Sequence, residues 1–116
     1  MALSGAAAQY IAKEYGGAFE EDDGDVSVGT SPTKIVDSDP DSLALVVINL
    51  SANTVYLRPA NNPSSSDGIQ INASGGSMSI NVRNDLTLPT REWWAVASAA
   101  GSDVYYIRVR RFSTSA

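Results

Sequence analysis

From Val26 onward the chain is cut into short apolar segments by clusters of Gly, Pro, Asn, Asp and Ser. That punctuation restricts the fold more than any single motif, because the segments are the length of strands and too short for packed helices. About eight of them occur, at 26–28, 33–36, 43–50, 54–58, 68–71, 77–82, 93–97 and 104–112. Their spacing predicts an all-β chain, a single small β-sandwich, jelly-roll-like, of about eight strands. The 116 residues leave room for one core, and with 43% apolar and 18% charged residues the surface falls largely to Ser, Thr, Asn and Gly.

Three segments carry the most information. Residues 43–50 are apolar on both alternating faces, as a central strand covered on both sides would be, and Ser51-Ala52-Asn53 predicts a hairpin back into 54–58. Residues 77–82 alternate, with Met78, Ile80 and Val82 expected inward and Ser77, Ser79 and Asn81 outward. In the last segment the same rule sends Tyr105, Ile107 and Val109 inward, which gives Tyr106, Arg108 and Arg110 an aromatic and basic outer face. The long connections at 59–67 and 84–92 are where binding surface is expected.

Before Val26 the pattern changes. Ala7, Tyr10, Ile11 and Tyr15 fall at helical spacing and Gly16-Gly17 ends it, so residues 1–25 read as an arm with a short helical or extended start. A helix of about 12 residues is marginal alone and needs something to dock on. Glu20-Glu21-Asp22-Asp23-Gly24-Asp25 then reads as a self-repelling, solvated linker. The domain is expected at 26–112, with a tail at 113–116.

The composition also removes chemistry. Histidine and cysteine are absent, which takes away the usual general base, the commonest zinc ligand and every thiolate. No catalytic, cofactor or metal site is expected, and the chain is not read as an enzyme. Asp37-Ser38-Asp39-Pro40-Asp41 starts like a calcium loop but puts Ser42 and Ile48 where Gly and Glu are needed, so it reads as a turn. Gly75-Gly76 is a turn as well. A net charge of −5 with eight Lys and Arg argues against nucleic acid, and no stretch approaches the roughly 20 apolar residues that span a bilayer.

What is left is surface for partners. Trp93 and Trp94 are adjacent in a strand, so one indole belongs in the core and the other at the surface or under the 84–92 loop. An exposed indole would suit a neighbouring subunit or a surface glycan. Arg108, Arg110 and Arg111 against the acidic run 20–25 read as ordinary surface charge, with pairing between copies as the alternative. The interface candidates are Tyr10, Ile11, Tyr15, Trp93, Trp94, Tyr106, Arg108 and Arg110.

The order of the segments resembles a family of small virion proteins of tailed phages. The resemblance runs through Val28-Gly29-Thr30-Ser31-Pro32-Thr33-Lys34-Ile35-Val36, the apolar strand ending in Asn49, and Asn53-Thr54-Val55-Tyr56-Leu57. It continues in Ser66-Asp67-Gly68-Ile69, the Gly76 to Ile80 strand, Trp94-Ala95-Val96-Ala97-Ser98 and the closing strand from Val104 to Val109. Arg58 before Pro59 and the doubled tryptophan depart from it. The resemblance implies a structural protein of the virion, first of all a capsid decoration (cement) protein, assembled in the host cytoplasm. A head-fibre base or a tail or baseplate module is the alternative, and a carbohydrate-binding module for host attachment is a further one. The implied partners are the major capsid protein or other virion proteins and further copies of this chain, as a trimer.

Overall fold

A computed structural model describes residues 18–112, which form two four-stranded antiparallel sheets packed face to face. The strands are β1 (Ala18–Val28), β2 (Thr33–Val36), β3 (Ser42–Asn49), β4 (Val55–Arg58), β5 (Ile69–Ile71), β6 (Ser77–Asn81), β7 (Trp93–Ala97) and β8 (Ser102–Phe112). One sheet is ordered β1-β8-β3-β6 and the other β2-β7-β4-β5. Each strand of the first half thus pairs with its counterpart counted back from the end: β1 with β8, β2 with β7, β3 with β6, β4 with β5. This is one long hairpin, its tip between β4 and β5, rolled up until β8 meets β3 and β7 meets β4. The wiring is that of a jelly roll.

Period-two alternation builds the core. Val28, Leu45, Val47, Met78, Ile80 and Val104 from the first sheet face Val36, Val55, Leu57, Ile71, Trp93, Ala95 and Ala97 from the second, all of them buried. Met78 and Ile80 point inward and Ser77 and Ser79 outward, as alternation predicts. Val82 does not continue the strand. It opens a helical turn, Val82–Asp85, capped by the Asn81 side chain, which accepts from the Asn84 N–H at 2.9 Å.

Two expectations fail in instructive ways. Residues 50–54 do not close a hairpin, because β3 and β4 lie in different sheets. Asn49 makes the corner instead. Fully buried, it donates from Nδ2 to the carbonyls of Asn53, Ile71 and Asn72, while its Oδ1 accepts from the Ser51 N–H and hydroxyl. A single amide thereby satisfies the backbone at the place where the chain changes sheet.

The acidic run is not a linker. It lies inside β1, hydrogen-bonded along its length to β8, with Glu20 opposite Arg110 and Asp22 opposite Arg108. Like charges along a strand are tolerable when alternate ones face water on a sheet edge, where they also block pairing with another chain. Gly24 belongs there for a steric reason, since a Cβ at this position would sit 3.2 Å from the ring of Tyr106 across the ladder. The short helical start expected through Ala7, Tyr10, Ile11 and Tyr15 and the tail 113–116 lie outside the described residues.

Candidate functional site

The last strand faces the other way from the expectation. Val104 is fully buried, Tyr106 packs on the core and Arg108 is only 6% exposed, so these face inward and Tyr105, Ile107 and Val109 face outward. Apolarity favoured the opposite orientation, but β3 is apolar on both faces and does not decide it. The inward places are settled by long-range partners, the open space above Gly24 for Tyr106 and a set of carbonyls for Arg108.

Arg108 plugs one end of the sandwich. Its Nη1 donates to the Asp37 carbonyl at 2.6 Å and its Nη2 to those of Pro89 and Arg91 at 3.3 and 3.2 Å. Burial lowers its pKa from the ordinary arginine value, while the nearby Asp39 works in the opposite direction. Beside it Arg110 donates from Nε to Asp39 at 2.7 Å and from Nη1 to Glu20 at 2.9 Å, and Arg111 pairs with Asp41 at 3.3 Å. Of the acidic run, Glu20 thus meets Arg110 within the chain, while Arg111 and Arg108 find their partners in the connections instead. The 37–41 stretch is a turn, as its Asp and Pro content predicts, with the Asp39 carboxylate accepting from the Asp41 N–H at 2.9 Å.

Asp39 gives this end a pH dependence. Burial alone would raise its carboxyl, but the Asp41 N–H and Arg110 together hold it below its ordinary value of 3.8. A depressed folded-state pKa stabilises fully above the unfolded value and is lost as pH falls through the folded one. The melting temperature is thus expected to fall on acidification from about pH 5 to about pH 2, and to fall less in Asp39→Asn, which has no carboxylate to protonate. An equal fall in both proteins, measured by thermal melts across that range, would remove Asp39 from the account.

Two outer faces remain for partners. On the β1-β8-β3-β6 sheet the middle is apolar, with Ala44, Val46 and Ile48 of β3 beside Tyr105, Ile107 and Val109 of β8, all partly buried. Acidic Glu21, Asp23 and Asp25 flank it on the β1 side and Ser77, Ser79 and Asn81 on the β6 side. The Tyr105 hydroxyl donates to Asp23 at 2.6 Å, which raises the phenol pKa. An open groove of about 330 Å³ at one end of this face is lined by Leu43, Ala44, Val82 and Val109, among others.

On the opposite sheet the tryptophan pair divides as its spacing requires. Trp93 is 1% exposed and donates to the Leu88 carbonyl at 3.0 Å, whereas Trp94 lies on the outer face, partly buried. Lys34 stands 5.7 Å from the Trp94 ring centroid, and the Trp94 Nε1 donates to Glu92 at 3.1 Å. Val96 continues that face along β7, and Tyr56 lies opposite Val96 on β4. The same face opens into a cleft of about 410 Å³ lined by Thr30, Pro32, Tyr56, Pro63, Ser64, Ser65, Val96, Ala97 and Ser98.

Of the interface candidates, Trp94 keeps a surface position. Trp93, Tyr106 and Arg108 serve the interior, Arg110 serves the Asp39 and Glu20 pairs, and Tyr10, Ile11 and Tyr15 lie outside the described residues. The cleft was missed, although Val55 and Leu57 flanking Tyr56 already assign that ring to the opposite face. Its walls come from loops whose path no local pattern fixes.

No known protein family and no curated protein matches the sequence. Among solved structures, a chain described in "Bacillus endospore appendages form a novel family of disulfide-linked pili" is similar at 9% identity, over 83% of this chain and 88% of that one, with a TM-score of 0.49. The likeness is too distant to carry function.

Proposed function

We propose that this chain is a structural protein of a tailed-phage particle, and specifically a decoration protein that sits, in threes, on the outer face of the capsid and stabilises the head. The observation that carries the reading is the apolar middle of the β1-β8-β3-β6 face, over which no second layer lies among the described residues. Apolar sheet faces that stay partly open in this way mark contacts with other proteins. The segment order over residues 26–112, the jelly-roll wiring and a sequence without His or Cys agree with a role in assembly rather than catalysis.

Size argues that the face does not act alone. Four strands at about 4.8 Å spacing, taken over the eight residues of β3 at about 3.3 Å each, cover roughly 500 Å². A standard interface buries about 800 Å² per partner. The N-terminal arm, with Tyr10, Ile11 and Tyr15, and repetition of copies would supply the difference. Because β1 begins at Ala18, the arm is removed without cutting the sheet by deleting residues 1–17.

The deletion is expected to lower binding to undecorated capsids at least about tenfold, the equivalent of 1.4 kcal/mol, with the domain still folded. Ile107→Asp on the apolar face is expected to do the same. Unchanged binding in both, measured by co-sedimentation, would overturn this attachment. Gold labelling confined to the tail of an intact particle would overturn the capsid position.

A further inference from the structure

We infer that the cleft on the β2-β7-β4-β5 face binds a short neutral glycan, with Tyr56 as its stacking floor. The cleft runs across the sheet. Tyr56 and Val96 come from the two central strands, while Thr30 and Pro32 rise on the β2 side and Pro63, Ser64 and Ser65 on the β5 side. Its volume of about 410 Å³ accommodates a small ligand of the size such pockets take.

The chemistry of the lining selects the ligand class. Among the described residues no Lys, Arg, Asp or Glu contributes to it, so a phosphate or carboxylate ligand would find no counter-charge there and a cation no ligand set. Thr30, Ser64, Ser65 and Ser98 instead offer hydroxyls, each of which both donates and accepts, around one aromatic ring. Sugars present that combination in reverse, with hydroxyls on the rim of the ring and C–H groups on its face. The Tyr56 phenol makes no hydrogen bond to any described residue and stays available to a ligand.

Trp94 extends the site. It lies on the same face, diagonal to Tyr56 across the β4–β7 ladder, and Glu92 and Lys34 fix its indole in place. A second sugar unit leaving the cleft along β7 would meet it. This surface is opposite the apolar face of the other sheet, so a copy attached by one face presents the cleft outward. The inference does not depend on the attachment.

The test is an array of neutral di- to tetrasaccharides probed with the full chain displayed multivalently, beside Tyr56→Ala, Tyr56→Phe, Thr30→Trp and Trp94→Ala. Binding to a subset of the array is expected. Tyr56→Ala should weaken it about tenfold and Tyr56→Phe, which keeps the ring, only a few-fold. Thr30→Trp fills the cleft from an exposed loop and should abolish binding in a protein that melts like the parent. Trp94→Ala should weaken binding to the longer glycans only. Absence of any neutral-glycan binding, binding that survives both Tyr56→Ala and Thr30→Trp, or capture confined to charged glycans or to peptides on a companion array would each overturn the inference. Failure of capsid binding with glycan binding intact would count against the attachment alone.

Discussion

Trp93→Ala is expected to lower the unfolding free energy by about 4 kcal/mol and the melting temperature by roughly 20 °C. Trp93 is the largest of the fully buried side chains, contributed by a central strand of its sheet. Its removal leaves a cavity bounded by strands that cannot close on it, because both sheets are fixed by their ladders. It also deprives the Leu88 carbonyl of the indole N–H, and with it the 3₁₀ turn Leu88–Thr90 that lids this part of the core. Domains of this size hold about 5–15 kcal/mol in total, so the variant should sit near the edge of folding. Trp94→Ala, on the outer face, should cost about 1 kcal/mol or less. Chemical denaturation of the two variants side by side checks the claim, and equal losses would contradict the assignment of one indole to the core and one to the surface.

Arg108→Ala should be the next most damaging change, at about 3 kcal/mol. The guanidinium reaches the backbone carbonyls of Asp37, Pro89 and Arg91, which lie in two different connections, so its loss leaves these acceptors short and lets the loops part from β8. Arg108→Lys should recover little, because one ammonium cannot reproduce a planar fork aimed at separate acceptors. Arg108→Met is the informative control: it keeps much of the packing and removes the donors. If the methionine variant melts with the parent, Arg108 acts as bulk and the carbonyl contacts contribute nothing.

The positions of the strands were legible because turn residues mark their ends. The segments at 33–36 and 93–97 coincide with β2 and β7, and most of the others agree to within a residue or two. Their partners were less legible. Ser51-Ala52-Asn53 has the composition of a hairpin turn, yet the segment crosses between sheets because Asn49 finds carbonyls in residues 71 and 72. Local pattern predicts three residues of β1 where the strand has eleven, since the arginines that accompany its acids arrive from the far end of the chain. The same distance hid the orientation of β8. For the cleft, Tyr56 was within reach of alternation, and the loop walls that make it a site were not.

Pairing each strand with its mirror from the other end places Ala18 directly opposite Phe112. The β1–β8 seam at the open end of the rolled hairpin therefore joins the two ends of the described chain. A mechanical load applied between those ends opens this seam like a zipper, separating one hydrogen-bonded pair at a time, whereas strands pulled lengthwise past each other share the load across the whole ladder. Cargo fused after the last strand would hang on that zipper, while cargo inserted in the connection between β4 and β5, at the far tip of the rolled hairpin, would leave it unstressed.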